Sequence, residues 1–377
     1  MTNYVIPVIA GDGIGPEIVA EGKKVMAAAG QRFGFCLEWL DLPYGAEHYL
    51  RTGELLPDQA LAELARHRAM YLGAVGDPRV EPGLLEMGIV LAIRFHFDQY
   101  VNLRPVVLFE GIRSPLAAGL DKPVDIALIR ENTEDFYIGQ GGRVNQGSSR
   151  RKLSLERSSF RLDMDLEIRL SQGEVAYNLG LISRAGAERV IRYGFELARN
   201  TGRQKVTLID KANVLPQMYG LWREAAAAVA SDYPELTLEH VFADAATMWL
   251  VKNPERFQVV VAPNLFGDVL SDLGAAVCGG LGLFPGGNIN PDGVSMFEPM
   301  HGSAPKYRGL NAANPLATVW AGAMLLDFLG EKEAARAILA AMSGLIKEGL
   351  TLTPDLGGKA TTSQVGDALA RRILDGR

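Results

Sequence analysis

Two carboxylates, Asp268 and Asp272, lie in the run Pro263-Asn264-Leu265-Phe266-Gly267-Asp268-Val269-Leu270-Ser271-Asp272. On a helix their spacing puts both on one face. The run follows a buried-looking strand at 257–262, and ligands of open α/β sheets collect at the carboxyl ends of strands. Two like charges there repel unless a cation lies between them, and a hard divalent ion such as Mg²⁺ or Mn²⁺ suits oxygen ligands. A solvated helix face with a capping Asp accounts for the same spacing equally well. Asp244, just after another strand, is a candidate third carboxylate, although on its own such an Asp is more often an N-cap.

A second group is cationic. Arg94 lies on an apolar helix-like stretch, Arg104 follows Asn102-Leu103, and Arg130 ends a strand. Arginine binds carboxylates bidentately and stays charged when buried, so three at element ends suit a substrate with two carboxylates. Unrelated surface salt bridges are the simpler explanation of each alone. Lys211 follows the strand at 205–210 next to Asp210, and a lysine beside a buried aspartate can serve as an acid or base. Tyr137 reads as a proton donor or as a half-buried aromatic. The turn Gly11-Asp12-Gly13-Ile14-Gly15-Pro16 lacks the dinucleotide G-x-G-x-x-G spacing and shows only that backbone approaches something closely. His301-Gly302-Ser303-Ala304-Pro305 is a small-residue loop that a flat ligand could approach.

These residues need elements to hold them. Strand-like runs at 4–9, 35–40, 69–72, 124–129, 205–209, 236–242 and 257–262 alternate with helical stretches at 57–67, after Ser183 and at 316–329. Such alternation predicts an α/β architecture with helices covering a largely parallel sheet. Residues 139–175 differ: Gly-, Ser- and Arg-rich sequence turns to period-two alternation at 160–168, which predicts an antiparallel arm. The arm could pair with a second subunit or lie on its own chain. The length of 377 residues is about twice that of a typical domain, so two domains are expected. Net charge is −6 with no Lys/Arg block, which argues against nucleic acid as a partner. Cys36 and Cys278 have no metal-ligand spacing and suggest a reducing compartment. No apolar run reaches the roughly 20 residues needed to span a bilayer, and a cytoplasmic protein is the default expectation.

Taken in order, the segments resemble the isocitrate/3-isopropylmalate dehydrogenase family over nearly the whole chain. The resemblance runs through Gly11-Asp12-Gly13-Ile14-Gly15-Pro16-Glu17, Asn102-Leu103-Arg104-Pro105, Arg130-Glu131-Asn132-Thr133-Glu134 and Lys211-Ala212-Asn213. It continues with Asn264-Leu265-Phe266-Gly267-Asp268, Ser271-Asp272, Glu298-Pro299 and His301-Gly302-Ser303-Ala304-Pro305. It implies an isopropylmalate dehydrogenase-like two-domain α/β fold that is not a Rossmann fold. Residues 1–99 with 279–377 would form a domain on the cofactor side. Residues 100–278 would form the domain of dimerisation, substrate and metal, with the arm as a dimer clasp. The family implies a homodimer or dimer of dimers with shared active sites. Carried over by motif, Arg94, Arg104 and Arg130 would hold substrate carboxylates. Asp268 and Asp272, with Asp244 of the other subunit, would hold Mg²⁺ or Mn²⁺. Lys211, also of the other subunit, would help to deprotonate the C2 hydroxyl, and Tyr137 would protonate C3 after CO₂ leaves. Asn213, His301, Gly302, Ser303, Ala304, Lys306, Tyr307 and Asn314 would face NAD or NADP.

The resemblance is mixed on substrate. Isocitrate enzymes place Ser and Asn where this chain has Gly88 and Val90, so a third substrate carboxylate would lose its polar partners. Val90 and Leu91 read as an apolar wall suited to the isopropyl group of 3-isopropylmalate, unless they face the core. Phe97-Asp98-Gln99-Tyr100 is similar to the tartrate/D-malate branch, and the segment from Arg130 to Tyr137 to isocitrate and homoisocitrate enzymes. Lys306-Tyr307 resembles NADP users, whereas Pro354-Asp355-Leu356-Gly357-Gly358-Lys359 resembles NAD users. A non-catalytic regulatory subunit, or a diacid-binding module without redox chemistry, is the competing class. Loss of a metal Asp, the Lys or the Tyr would mark a regulatory subunit, and all are present.

Overall fold

The apolar runs become strands and the stretches between them mostly helices. The computed structural model describes residues 2–116 and 122–376. Its two compact units are Met1–Ile126 with Ser271–Arg377, and Ala127–Leu270. The architecture is mixed α/β, as the alternation of strand-like and helical runs predicts.

In the first unit six strands lie in the order Phe35–Asp41, Thr2–Gly11, Ala69–Ala74, Ser295–Pro299, Pro285–Ile289 and Val101–Val107. The first four are parallel; Pro285–Ile289 runs antiparallel to both its neighbours. The pattern-based reading overlooked the two strands at 285–299, because Pro, Gly and Asn dominate the first of them and carry little β propensity. The helices Gly15–Phe33, Leu316–Phe328, Lys332–Glu348 and Thr362–Asp375 pack on one another and on this sheet. Leu316–Phe328 is buried nearly all round, with Trp320, Leu325 and Leu326 in the core. The helix expected over 57–67 is shorter, Asp58–Leu64.

The stretch before Arg94 is not a plain α-helix. Glu86–Leu91 is a π-helical turn, followed by the short α-helix Ala92–His96. Such turns insert a residue into the helical repeat and shift which side chains share a face.

In the second unit the strands Asp125–Glu131, Val259–Ala262, Lys205–Asp210 and Thr237–Phe242 are neighbours in that order and all parallel. The helix Arg184–Asn200 starts at Ser183, whose hydroxyl accepts from Gly186 N at 2.9 Å. The arm is a two-stranded antiparallel ribbon, Gly141–Arg157 with Phe160–Asn178. No helix among the described residues is long and apolar enough to cross a membrane.

Candidate active site

Arg130 lies near the end of Asp125–Glu131 and is only 2% exposed. A guanidinium so buried must be paired. Its Nε donates to Asn264 Oδ1 at 2.8 Å and its Nη1 pairs with the Asp268 carboxylate. The Tyr137 ring lies beneath it at 4.8 Å, and the Tyr137 hydroxyl donates to Asp268 Oδ2 at 2.7 Å. Asn264 and Asp268 belong to one helix, Asn264–Val277. Gly267 allows that helix to approach, since a Cβ there would stand 2.7 Å from Arg130 Cβ. Arg130, Asp268 and Tyr137 are thus brought together as one cluster.

The loop after Arg130 is held by its own buried acids. Glu131 accepts from Thr133 N, Thr133 Oγ1 and Glu134 N. Burial and then the neighbouring Glu134 push its pKa up to about 7. Glu134 accepts from Ser183 N at 2.7 Å and Ser183 Oγ at 2.6 Å, at the positive end of the helix Arg184–Asn200. Burial still raises its pKa, against those bonds and the charges of Arg189 and Arg157. Asp135 has a left-handed backbone, φ 60°, and accepts from Leu265 N at 2.9 Å. It thereby caps the start of the helix that carries Asp268. Sequence reasoning gave no role to Glu131, Glu134, Asp135 or Asn264, although all lie in quoted motifs; the burial that makes them matter is tertiary.

Lys211 donates to Asp244 at 2.6 Å, and this bond holds the Asp244 carboxyl below its usual range. The buried aspartate next to Lys211 in sequence, Asp210, is engaged by Arg223 instead. Asp244 stands in the first turn of Ala243–Lys252; Phe242, not Asp244, is the N-cap.

In the first unit Arg104 donates through Nη1 to Ser271 Oγ at 2.6 Å and lies 3.5 Å from Asp272. Arg94 is 6% exposed. Val90 is half-buried and packs against the core group of Leu85, Ile89 and Ile93; Leu91 is half-buried. Gly88 lies against Leu55, whose Cδ1 would be 2.3 Å from any Cβ at 88.

The same unit contains a cleft of about 770 Å³ lined by Ile14, His301, Gly302, Ala304, Tyr307, Ala312, Asn314 and Asp355 among others. Burial lowers the His301 pKa, so its ring is neutral at pH 7; its Nδ1 bonds Gly302 O. Its Nε2 is buried with no hydrogen-bond partner among the described residues. An orphaned acceptor in a largely apolar cleft fits a flat ligand that brings its own donors, as a dinucleotide does. Asp355 faces the cleft and accepts from Asn314 Nδ2 at 2.9 Å. Ser303 does not line the cleft: its hydroxyl donates to Gly76 O at 2.6 Å and its carbonyl accepts from Ile14 N at 2.8 Å. Lys306 is exposed and sits over the Tyr307 ring at 4.9 Å. Asn213, in the second unit, is exposed and is no part of the cleft. The glycine turn has a packing explanation. Gly13, at φ 57°, would place a Cβ 2.0 Å from Ser303 O. Asp12 within the turn accepts from Ala46 N and Gly76 N.

Among the described residues no three His, Cys, Asp or Glu side chains group as around a metal. Asp268 and Asp272, four apart on one helix, still present oxygen donors of the kind Mg²⁺ and Mn²⁺ take. Such a pair needs further ligands from water, substrate or another chain.

The sequence profile described as isocitrate/isopropylmalate dehydrogenase matches residues 5–369. The chain is 42% identical over 372 residues to a 3-isopropylmalate dehydrogenase of Thermobifida fusca, covering 98% of each chain. It is 42% identical over 383 residues to the D-malate dehydrogenase [decarboxylating] of Escherichia coli, covering 99% of each. Among solved structures it resembles an isocitrate dehydrogenase from Methylococcus capsulatus, with a TM-score of 0.83, 34% identity and coverage of 98% and 99%. On these likenesses the chain belongs to the isocitrate/isopropylmalate dehydrogenase family and is an oxidoreductase of that dehydrogenase class.

Proposed function

We propose that the protein catalyses the oxidative decarboxylation of a (2R)-malate-type 2-hydroxy diacid, with NAD(P)⁺ as hydride acceptor and Mg²⁺ or Mn²⁺ as cofactor. 3-Isopropylmalate is the first candidate substrate. The observation that carries this reading is the cluster of Arg130, Asp268 and Tyr137, in which a cation, a metal-type carboxylate and a hydroxyl donor touch one another.

When bound, the dinucleotide would supply a hydride acceptor for C2 and the cation would supply Lewis acidity. Arg94, Arg104 and Arg130 bind and orient the two carboxylates. Asp268 and Asp272, with Asp244 of a second subunit, would hold the cation. Lys211 takes the C2 hydroxyl proton by way of water. The C3–carboxylate bond breaks, CO₂ leaves, and Tyr137 gives a proton to the electron pair left at C3. The first unit's cleft takes the dinucleotide, against His301, Gly302, Ala304, Tyr307 and Asn314. Lys306 beside Tyr307 favours a 2′-phosphate, whereas the Asp355 carboxylate in the cleft opposes one. The reading includes a homodimer clasped by the arm, in which Lys211 and Asp244 complete the partner's site.

A second reading is D-malate, with no C3 substituent. It is favoured by Val90, which packs against the core and so contributes less apolar wall than the sequence implies.

The test is metal-dependent reduction of NAD⁺ and NADP⁺ with 3-isopropylmalate, D-malate, tartrate, homoisocitrate and isocitrate. The expected result is highest kcat/KM on 3-isopropylmalate. Preference for D-malate selects the second reading, and the faster dinucleotide reads out the balance between Lys306 and Asp355. No turnover of any of the five by folded, metal-loaded protein overturns the proposal.

A further inference from the structure

Four polar side chains run in a row across the sheet of the first unit, beginning at Arg104. Arg104 Nε donates to Asn102 Oδ1 at 2.9 Å. Asn102 Nδ2 donates to Asn288 Oδ1 at 2.8 Å, and Asn288 Nδ2 donates to Glu298 Oε1 at 2.7 Å. The residues come from three adjacent strands, Val101–Val107, Pro285–Ile289 and Ser295–Pro299, with Asn102 and Asn288 directly opposite each other. Both amides are fully buried.

Buried amides are costly unless satisfied, and apolar residues of similar size would fill this sheet with no such cost. The row therefore needs a reason other than packing. Its two ends supply one. Guanidinium nitrogen only donates, and a carboxylate only accepts. Glu298 thus obliges Asn288 to turn its NH₂ outward and its oxygen to Asn102. Asn102 must then turn its own NH₂ to Asn288 and its oxygen to Arg104. Every amide orientation follows from the ends, all the bonds point one way, and each polarises the next. At Arg104 this row holds Nε while Ser271 holds Nη1, so one contact from its own strand and one from the helix Asn264–Val277 set the guanidinium plane.

We infer that Asn102, Asn288 and Glu298 are positioning residues, a one-way hydrogen-bonded row that orients Arg104 for a substrate carboxylate. The inference rests on the reading of Arg104 as a carboxylate-binding arginine. Bidentate recognition needs the guanidinium in one plane, so loss of the row weakens diacid binding before it slows the chemistry.

The test uses exchange of charge along the row, in the full-length metal-loaded enzyme. Asn288→Asp sets a carboxylate against Glu298, and the repulsion pushes residue 288 off its bond with Asn102, which frees that amide and with it Arg104. The expected result is a rise of about tenfold in the KM for the diacid, with kcat and the dinucleotide KM changed far less. Adding Glu298→Gln to Asn288→Asp restores a donor opposite the new carboxylate, so the double variant regains most of the lost affinity relative to Glu298→Gln alone. Circular dichroism and the thermal midpoint establish that each variant is folded; should Asn288→Asp not fold, Asn102→Ala, which removes the Arg104 Nε contact itself, takes its place. A folded variant with an unchanged diacid KM, or a double variant with no recovery, overturns the row. Arg104→Lys is run beside them: if it too leaves the diacid KM unchanged, the reading of Arg104 as a substrate residue is what has failed.

Discussion

Arg130, Tyr137 and Asp268 show how residue identity becomes chemistry only through burial. An exposed arginine–aspartate pair contributes little, but a guanidinium 2% exposed must keep its partners. The acids behind it matter for the same reason. Glu131 has its pKa raised by burial from 4.5 to about 7. A raised pKa means that the folded state holds the proton more tightly than the unfolded one. The resulting stability is complete below the ordinary carboxyl range and is lost as pH rises through about 7. The thermal midpoint is therefore expected to fall between pH 5 and pH 8, and Glu131→Gln to flatten that slope when melted over the same range. An equal slope in the variant would remove Glu131 as its source.

At the scale of elements, the segment before Arg94 decides which side chains face outward. The π-helical turn Glu86–Leu91 shifts the repeat, Val90 meets the core, and Gly88 is pressed against Leu55. A side chain at 88 must therefore displace Leu55. Gly88→Ser is expected to destabilise by about 1–3 kcal/mol through overpacking, and Leu55→Ala in the same chain to relieve most of it. Denaturant unfolding of the two variants measures both. A Gly88→Ser protein as stable as the parent would show that Leu55 moves aside freely. The helix Asn264–Val277 is the complementary case: Asp135 caps its start and Gly267 lets it meet Arg130, so its carboxylate at 268 is delivered in one place.

At the scale of the molecule, the proposed dimer makes a prediction that no single chain can satisfy. Lys211 and Asp244 pair with each other, whereas Asp268 belongs to the Arg130 cluster. If each site takes Lys211 from one chain and Asp268 from the other, Lys211→Ala and Asp268→Asn are each inactive. Equimolar unfolding and refolding of the two then produces mixed dimers with one intact site, and about a quarter of the parent activity returns under two-fold symmetry. Steady-state assays before and after mixing test this; no recovery in demonstrated mixed dimers would place both residues in one chain's site. The arm, a ribbon of two long strands, is the element expected to hold such a dimer, since an isolated two-stranded ribbon is marginal in water.

Much of this protein was legible in its sequence. Period-two and helical patterns gave the α/β class, the arm and the start of the helix at Ser183, because those signals are local. The ordered motifs from Gly11 to Pro305 identified the family, since each preserves a residue type that chemistry or close packing demands. What tertiary structure alone decided are the partnerships. Lys211 meets Asp244 and not its neighbour Asp210; Ser303 holds Gly76 and does not line the cleft; Val90 turns to the core. Asn102 finds Asn288 and through it Glu298, far away in the chain. The physical reason is common to all of these. A side chain's type and spacing state what it can bond, but burial and strand order determine which partner lies within reach, and only the folded chain brings those together.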